Sequence, residues 1–458
     1  MNGAIWFFDA AARELMLFAG VMLLIGGVDD LLIDWAYLLR RAWRGTERLS
    51  INTLPPLTTP ARIAVLVPAW RESGVIGAML TATLSRYRHP DYLLMVGCYP
   101  NDRATIDAVA AVAEHDARVR LVVGPRPGPT TKADNLNALW RALERDDAWT
   151  GTTTRAVVIH DAEDVVHPDE LCLFARLLDD YDVIQLPVLP LVDPRAPLVS
   201  GHYADEFAES HAKQLVIRAA LGAGMPLAGA GCAISTAMLR QVAADRDGLP
   251  FDATSLTEDY ELGLSIAERG GRGLIARCTD ADGGMIAVRA YFPDTFTAAA
   301  RQKARWMTGI ALAGWDRIGW SRPFALFDHW MRMRDRRGPL AVVVLTAAYL
   351  AVVSYGVSSV AHWGSPAPYP PPVPAWLLAM TSGLLLWRLA VRVAFTVRAY
   401  GWRQGCWAVP RFVVGNLIGL AAAPRALGTY LPTLFGRTPI WDKTEHQFPE
   451  LVELHAAT

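Results

Sequence analysis

The sequence predicts an α/β domain, built on a mostly parallel, doubly wound sheet, that is joined to membrane-spanning helices. Short apolar runs alternate with helical segments between residues 62 and 186, which is typical of strands and helices around a parallel sheet. Long apolar runs lie near the N-terminus and from about residue 339 onward. With 52% hydrophobic and 19% charged residues, this chain of 458 residues is too apolar for an ordinary soluble protein and too charged for a purely membranous one.

The first predicted element is a membrane-spanning helix within residues 1–45. The stretch from Arg13 to Leu39 is long enough to cross a bilayer as one helix, although aspartates occur in its second half. A small-residue cleavage site is not evident, so we do not expect a removable signal peptide. Arginines at 40, 41, 44 and 48 follow, and basic flanks stay in the cytoplasm, so we expect an external N-terminus and a cytosolic domain next.

Residues 46–330 are predicted to form that cytosolic domain, after a linker at 50–60. In a doubly wound sheet, ligands bind beyond the carboxyl ends of the strands. The predicted strands are Ile63–Val67, Tyr92–Cys98, Val119–Val123, Ala156–His160 and Val183–Leu186, and the helices between them include Gly74–Arg86 and Thr131–Arg145.

Polar side chains follow three of these strands. Pro68, Trp70 and Glu72 come after the first strand, and Asp102 comes after the second in the segment YPND. The segment DAED at 161–164 follows the fourth, and several oxygens within four residues suit Mg²⁺ or Mn²⁺. The alternative interpretation of YPND is an ordinary Pro-Asn-Asp turn, and that of DAED is a solvated acidic turn.

Two further segments place charged groups at predicted helix starts. The segment GPTTKADN at 128–135 contains Lys132, which could contact a phosphate because helix N-termini favour anions. Thr257, Glu258 and Asp259 precede an amphipathic helix, where Asp259 could act as a general base towards an acceptor hydroxyl. Helix capping is the alternative interpretation of both segments.

The helix predicted at Asp294–Ile318 carries Gln302, Arg305 and Trp306 on one face, because positions i, i+3 and i+4 are neighbours. Arg305 could neutralise a leaving diphosphate and Trp306 could stack on a sugar. The alternative is an interfacial helix with arginine and tryptophan at headgroup depth.

Residues 331–400 are predicted to form two membrane spans, from the apolar runs Leu340–Val360 and Trp376–Phe395. Residues 401–458 are predicted to form an interfacial or re-entrant segment and a cytosolic tail. Prolines at 410, 424 and 432 interrupt the apolar stretch 406–435, and a fourth span is the alternative.

Charge and cysteine content exclude several classes of protein. The net charge of −1 gives no electrostatic reason to expect nucleic-acid binding. The five cysteines are scattered, without Cys-x-x-Cys spacing, which argues against a zinc site and a disulfide framework and fits a reducing compartment.

Taken in this order, the motifs resemble family 2 glycosyltransferases with a GT-A fold and membrane spans, the group that includes bacterial cellulose and hyaluronan synthases. The resemblance covers roughly residues 60–320. It implies an inverting sugar transfer from a UDP-sugar, with Mg²⁺ or Mn²⁺ as cofactor, at the bacterial inner membrane. An N-acetylhexosamine is one candidate for the sugar, and a growing exopolysaccharide is the expected acceptor.

The resemblance also implies roles for the residues. Asp102 would contact the uridine, Asp161 and Glu163 with the adjacent Asp164 would hold the metal, and Asp259 would be the base. Because the usual Asp-x-Asp motif reads Asp-Ala-Glu here, the oxygen that binds the metal stays open. The implied catalytic residues are Asp259 and Glu258, and the implied substrate-binding residues are Pro68, Trp70, Glu72, Asp102, Lys132, Asp134, Asp161, Thr257, Gln302, Arg305 and Trp306.

The implied partners are the UDP-sugar, a glycan or lipid-linked acceptor, membrane lipids and an outer-membrane or periplasmic export partner. Regulation by a cyclic dinucleotide would need a separate sensing partner, since no such domain is expected after the membrane part. Two other functions remain open. One is transfer of a single sugar to a polyprenyl phosphate. The other is a non-catalytic membrane scaffold with a degenerate transferase domain.

Overall fold

The computed structural model describes residues 2–45, 49–56, 61–363, 373–436 and 447–449. The predicted linker at 50–60, the proline-rich segment before residue 373 and the predicted C-terminal tail lie wholly or partly outside these ranges. Within them, a seven-stranded sheet carries helices on both faces, and long helices lie at the two ends of the sequence. Seven of the nine described strands form this sheet, and β1 and β9 form a separate parallel pair. The strands are β1 Leu49–Ser50, β2 Ile63–Pro68, β3 Tyr92–Cys98, β4 Val119–Val123, β5 Ala156–Ile159, β6 Val183–Gln185, β7 Cys232–Ser235, β8 Gly273–Ile275 and β9 Cys278–Thr279.

Two of the helices continue into π-helical turns, at Ser210–Gln214 and Met307–Leu312. The bounds of the helices are α1 Asn2–Arg44, α2 Ile76–Arg86, α3 Arg103–Ala113, α4 Lys132–Thr150, α5 Glu170–Leu177, α6 Val199–Glu209, α7 Leu215–Ala220, α8 Thr236–Ala244, α9 Glu258–Glu268, α10 Phe296–Trp306, α11 Ala313–Arg317, α12 Leu326–Arg336, α13 Gly338–Ala361, α14 Ala375–Tyr400 and α15 Trp402–Thr433.

The sheet has the order β4-β3-β2-β5-β7-β6-β8, and only β7 runs antiparallel to its neighbours among the described strands. This arrangement confirms the predicted mostly parallel sheet. The central strand β2 pairs with β3 on one side and β5 on the other, with Pro68 opposite Gly97 and Leu66 opposite Ile159. The segments that follow these three strands therefore leave from the same edge.

The strands are apolar on both faces because helices cover both sides of the sheet. Alternate residues of β2 divide between two cores: Val65 and Val67 contact the layer with α2, α3 and α5, whereas Ala64 and Leu66 contact the layer with α4 and α8. Burial on both faces explains why these strands read as continuous apolar runs in the sequence.

Four helices are long and apolar enough to cross a membrane, by length and composition, among the described residues: Ile5–Arg44, Gly338–Ala361, Ala375–Tyr400 and Trp402–Thr433. The last one takes in the stretch 406–435, for which the sequence predicts an interfacial or re-entrant segment, with a fourth span as the alternative. Its three prolines lie inside one continuous helix, α15, which packs along α14, α10 and α6. These neighbours stabilise the helix although each proline removes one backbone hydrogen bond.

The aspartates of α1 are neutralised at its junction with the other helices. Asp30 accepts from Arg334 at 2.9 Å and also pairs with Arg337 and Arg388. Asp34 pairs with Lys213 and accepts from the Trp387 indole at 2.8 Å. Ionisable groups in an apolar helix are expensive unless they are paired, so these contacts fix α1 against α12 and α14.

Candidate active site

A cavity of about 310 Å³ opens at the carboxyl edge of the sheet, between the sheet and α9–α10. It collects residues from segments that are far apart in the sequence. The sequence-predicted residues that line it are Lys132, Asp161, Glu163, Asp164, Thr257, Glu258, Asp259, Gln302, Arg305 and Trp306.

Lys132 lies in the first turn of α4, directly after the N-cap Thr131, whose hydroxyl accepts the Asp134 N–H at 3.2 Å. Its ammonium donates to Asp161 Oδ1 at 2.5 Å and to the Gly229 carbonyl at 3.2 Å. Glu258 Oε1 lies 3.9 Å away. Burial alone lowers the pKa of Lys132, but these carboxylates outweigh it and raise the pKa above that of an ordinary lysine.

The carboxylates of the acidic turn after β5 contact different partners. Asp161 faces Lys132, whereas Asp164 Oδ2 lies 2.8 Å from His160 Nδ1 and accepts the Asp161 N–H at 2.9 Å. Burial raises the pKa of Asp164, while the His160 hydrogen bond opposes this rise. Asp161 and Glu163 are therefore better placed than Asp164 to hold a metal, and the predicted role of Asp164 as a ligand stays a prediction.

Glu258 and Asp259 occupy the first turn of α9, where the positive end of the helix dipole stabilises carboxylates. Asp259 Oδ1 accepts the Tyr260 N–H at 2.7 Å, and Oδ2 lies 2.7 Å from where a Cβ on Gly229 would stand. Gly229 also has φ +77°, so only glycine fits there without strain.

The two carboxylates of this turn have shifted pKa values. Burial raises the pKa of Glu258 to about 7, against the lowering effect of Lys132, and burial also raises the pKa of Asp259. A carboxylate with a raised pKa is suited to accept a proton near neutral pH.

Helix α10 supplies the opposite wall of the cavity with Gln302, Arg305 and Trp306. The Trp306 ring lies 6.0 Å from the Tyr203 ring and 6.5 Å from the Phe292 ring, and the Lys303 ammonium sits 5.4 Å from the Trp306 ring. These contacts place the Trp306 indole in a cluster of aromatic rings beside the cavity.

A small-residue contact holds α10 against α15. Ala304 packs with Ala422 and Ala426, and the Thr308 hydroxyl donates to the Ala426 carbonyl at 3.3 Å. The sequence-predicted helix at Asp294–Ile318 begins at Phe296 and changes to a π-helical turn after Trp306. The wall with Arg305 is therefore attached to a helix that is long enough to span a membrane.

Five predicted binding residues lie outside the cavity lining as the described residues form it: Pro68, Trp70, Glu72, Asp102 and Asp134. They belong to an adjoining part of the same sheet edge. Asp102 Oδ2 accepts the Arg71 N–H at 2.5 Å, and the rings of Trp70 and Tyr99 meet edge to face at 5.1 Å.

The segment at 128–132 joins this part to the cavity. Gly128 packs against the Trp70 and Tyr99 rings, where a Cβ would come within 2.8 Å of both, and it exchanges two hydrogen bonds of 2.7 Å with the Asn101 side chain. The Tyr99 hydroxyl lies 2.8 Å from the Thr130 hydroxyl, two residues before Lys132.

The cavity is acidic. Lys132 and Arg305 are its lysine and arginine, and its acidic lining residues in the described chain are Asp161, Glu163, Asp164, Asp193, Glu258, Asp259 and Asp294. A diphosphate would need additional positive charge here, which a divalent cation can supply. Among the described residues, no three His, Cys, Asp or Glu side chains converge to hold a metal by themselves.

Comparison with known sequences assigns the chain to a protein family. Residues 60–309 match the profile of a family described as "Glycosyltransferase like family 2". The chain belongs to this family. It is 35% identical over 480 residues to bacteriophage adsorption protein B of Escherichia coli (strain K12), and likewise to bacteriophage N4 adsorption protein B of Escherichia coli O157:H7. Each alignment covers 98% of this chain and 63% of the relative, so the chain spans less than two thirds of those proteins.

A solved structure supports the fold of this family 2 chain. The mannosyltransferase PcManGT from Pyrobaculum calidifontis, in complex with GDP-Man and Mn²⁺, superposes with a TM-score of 0.52 and 18% identity, over 90% of this chain and 99% of that one. At this identity the similarity shows the fold alone, and it confirms the predicted GT-A architecture. The candidate membrane helices follow from the length and composition of this chain's own helices.

Sequence reasoning missed several residues around the site of this family 2 chain. His160 and Glu170 support the acidic turn, Tyr203 packs against Trp306, and Glu206 pairs with Lys303. The histidine that immediately precedes DAED was a usable signal, because a histidine between a buried strand and an acidic turn needs polar partners. The residues of α6 carried no comparable signal, since their partners come from distant segments.

Proposed function

We propose that this chain is an inverting, metal-dependent glycosyltransferase that transfers a sugar from a UDP-sugar to a growing exopolysaccharide. One observation carries the proposal: Asp161, Lys132, Asp259 and Arg305 meet in one cavity, although they come from four separate segments. Isolated helix caps and an interfacial helix would not require that convergence.

The carboxylates of the acidic turn fit a divalent cation. Asp161 already accepts a cationic partner, the Lys132 ammonium at 2.5 Å, and Glu163 lies in the same cavity. Mg²⁺ and Mn²⁺ sites often use one or two carboxylates and complete their shell with phosphate and water. Bound there, the metal would supply positive charge that stabilises the leaving diphosphate. The similar mannosyltransferase carries Mn²⁺ and a nucleotide sugar, which agrees with this proposal.

The side chains of this chain divide the remaining work. Asp259 would take the proton of the acceptor hydroxyl as its oxygen attacks the anomeric carbon, and the bond from that carbon to the UDP oxygen would break. Lys132 and Arg305 would stabilise the negative charge that develops on the departing UDP. Trp306 would hold the acceptor sugar against its ring face.

The position of α10 supports an acceptor at the membrane. Gln302 and Trp306 line the cavity, while Ala304 of the same helix packs on α15. The arginines that flank α1 and α13 favour a catalytic domain on the cytosolic side of the bacterial inner membrane. A product that leaves the cavity past Trp306 would reach the long helices. Export of the product through a further partner would require such a route.

The proposal is tested by a donor screen on membranes that contain the full chain. UDP-sugars and GDP-sugars are supplied singly, with Mn²⁺, with Mg²⁺ or with EDTA, and nucleotide release and product length are measured. We expect metal-dependent UDP release and a polymeric product. Release of GDP alone would contradict the UDP donor, and a single sugar on lipid would contradict the polymer.

The Asp259→Asn variant is the matched control in the same screen. Nucleotide release that persists in this variant belongs to another enzyme in the membranes. Absence of release from the wild-type chain with every donor would instead favour a non-catalytic scaffold.

A further inference from the structure

The acidic turn that carries Asp161 and Glu163 rests on a buried histidine. His160 follows β5, and its backbone N–H donates to the Leu66 carbonyl at 3.1 Å, so its backbone is fixed in the sheet. Its imidazole is 0% exposed and does not belong to the cavity lining of the described chain. Both ring nitrogens lie 2.8 Å from carboxylate oxygens, one of Asp164 and one of Glu170.

On one side, these contacts reach the metal-binding turn. Asp164 Oδ2, which faces His160 Nδ1, also accepts the Asp161 N–H at 2.9 Å, and the Asp164 N–H donates to the Asp161 carbonyl at 3.2 Å. The Asp164 side chain therefore closes the turn on itself. Because the same oxygen faces His160, the backbone of Asp161 is linked to the sheet through the histidine.

On the other side, the contacts reach two helices. Glu170 is fully buried at the start of α5, and its Oε1 accepts the Tyr87 hydroxyl at 2.5 Å in addition to its contact with His160. Its Oε2 accepts the His167 N–H at 3.2 Å. His160 thus stands between the turn and a buried anchor made by α5 and the end of α2.

We infer that His160 is a positioning residue for metal and diphosphate binding, an inference that rests on the proposed function. It acts through Asp164, which holds the turn so that Asp161 and Glu163 face the cavity. Groups that orient metal ligands in this way typically change metal affinity by about 10–100-fold when they are removed.

Mn²⁺ binding to the purified full chain in detergent tests this inference without any turnover. Free Mn²⁺ is followed by electron paramagnetic resonance during titration in the presence of UDP, and thermal unfolding is recorded for each variant. The variants are His160→Leu, Asp164→Asn, Glu170→Gln and the His160→Leu/Asp164→Asn double variant.

The matched control is His89→Leu. His89 is also buried, and it makes a single described hydrogen bond, to the Ala61 carbonyl at 3.1 Å, with no contact to the turn. We expect it to lower the unfolding temperature without changing Mn²⁺ affinity.

For His160→Leu we expect Mn²⁺ affinity to fall about 10–100-fold. Glu170→Gln should also weaken it, although Glu170 lies on the far side of the ring from the turn. The double variant should lose no more than the weaker-binding single variant, because both changes act on one path. If His160→Leu does not fold, Glu170→Gln, which preserves side-chain volume and lies away from the turn, carries the same test.

Two results would overturn the inference: Mn²⁺ affinity within twofold of wild type in His160→Leu or Glu170→Gln, or fully additive losses in the double variant. A wild-type chain that binds no Mn²⁺ with UDP would be a different failure. It would remove the proposed metal role before any variant is compared.

Discussion

The two halves of the candidate site are held in different ways. In the sheet half, neighbouring loops bind one another directly: Asn101 bonds Gly128 twice, and Lys132 bonds Asp161. In the helix half, the N-cap of α9 packs on the π-helical turn that follows α10, with Thr257 against Gly309, where a Cβ would come within 2.4 Å of the Thr257 hydroxyl oxygen. Hydrogen bonds between neighbouring segments fix the sheet half, whereas the position of the wall with Arg305 and Trp306 depends on how α10 packs against α15.

The two halves also differ in their proposed roles, which are donor binding for the sheet half and sugar transfer for the helix half. The sheet half carries the groups proposed to hold the nucleotide and metal, and the helix half carries the proposed base and the acceptor wall. Changes in the helix half should therefore reduce turnover with little effect on UDP binding. Changes in the sheet half should reduce both.

Asp259→Asn is expected to have the largest effect on turnover. The amide keeps the shape of the side chain and can still accept the Tyr260 N–H, but it cannot take the acceptor proton, so kcat should fall about a thousandfold. UDP affinity, measured by calorimetry, should stay within about threefold of wild type. Asp245→Asn, at an exposed ion pair with Arg269, is the control. Wild-type turnover in Asp259→Asn would show that another group is the base.

The sheet half was also the more predictable half. Strands β3 and β4 have the bounds that their apolar runs predict, and Asp102 and Asp161 were found because they follow such runs. Parallel strand ends meet at one edge, so sequence order alone brings these residues together.

The helix half and the turn geometry needed the structure. The direction of Asp164 depends on His160, whose other partner, Glu170, is anchored by Tyr87, 83 residues earlier. The three prolines in the stretch 406–435 lie inside one continuous helix, α15, which packs against α10 and α14. Contacts between segments 83 or 118 residues apart leave no periodic signal in the sequence.

Lys132→Met tests the point where the two halves meet. The ammonium pairs with Asp161 and lowers the pKa of both Glu258 and Asp259, while burial raises them. Transfer needs the ionised carboxylate of Asp259, so the wild-type rate should fall as pH drops through the raised pKa of this group. Without the lysine both pKa values rise further, so the acidic limb of the pH–rate profile should move to higher pH.

The same variant should also bind the donor about 10–100-fold more weakly, because the proposed charged contact to phosphate would be lost. Steady-state rates between pH 5.5 and 9, with donor KM at each pH, measure both effects. An acidic limb that stays in place would show that Lys132 does not act on the α9 carboxylates.

Arg305→Ala asks whether α10 acts on the leaving group. Loss of the guanidinium should lower kcat about a hundredfold, since it removes charge stabilisation of the departing diphosphate. Arg305→Lys should recover part of this loss, because it restores the charge without the planar fork. Equal losses of kcat in both variants would show that the shape of Arg305, and not its charge, matters. Unchanged UDP affinity in both variants would show that Arg305 affects turnover and not UDP binding, as expected for the helix half.

Ala422→Leu should have the smallest effect and is the most direct test of the link to the long helices. Ala422 is fully buried against α10 beside Ala304, so the added methyl groups should push α10 outward at a cost of about 1–3 kcal/mol. The Arg305 and Trp306 wall would move with it, and kcat should fall about tenfold, since small misplacements are costly in catalysis. Ala421→Leu, one position away on the exposed side of the same helix, is the matched control. Equal activity in the two variants would show that the helix half keeps its geometry independently of α15.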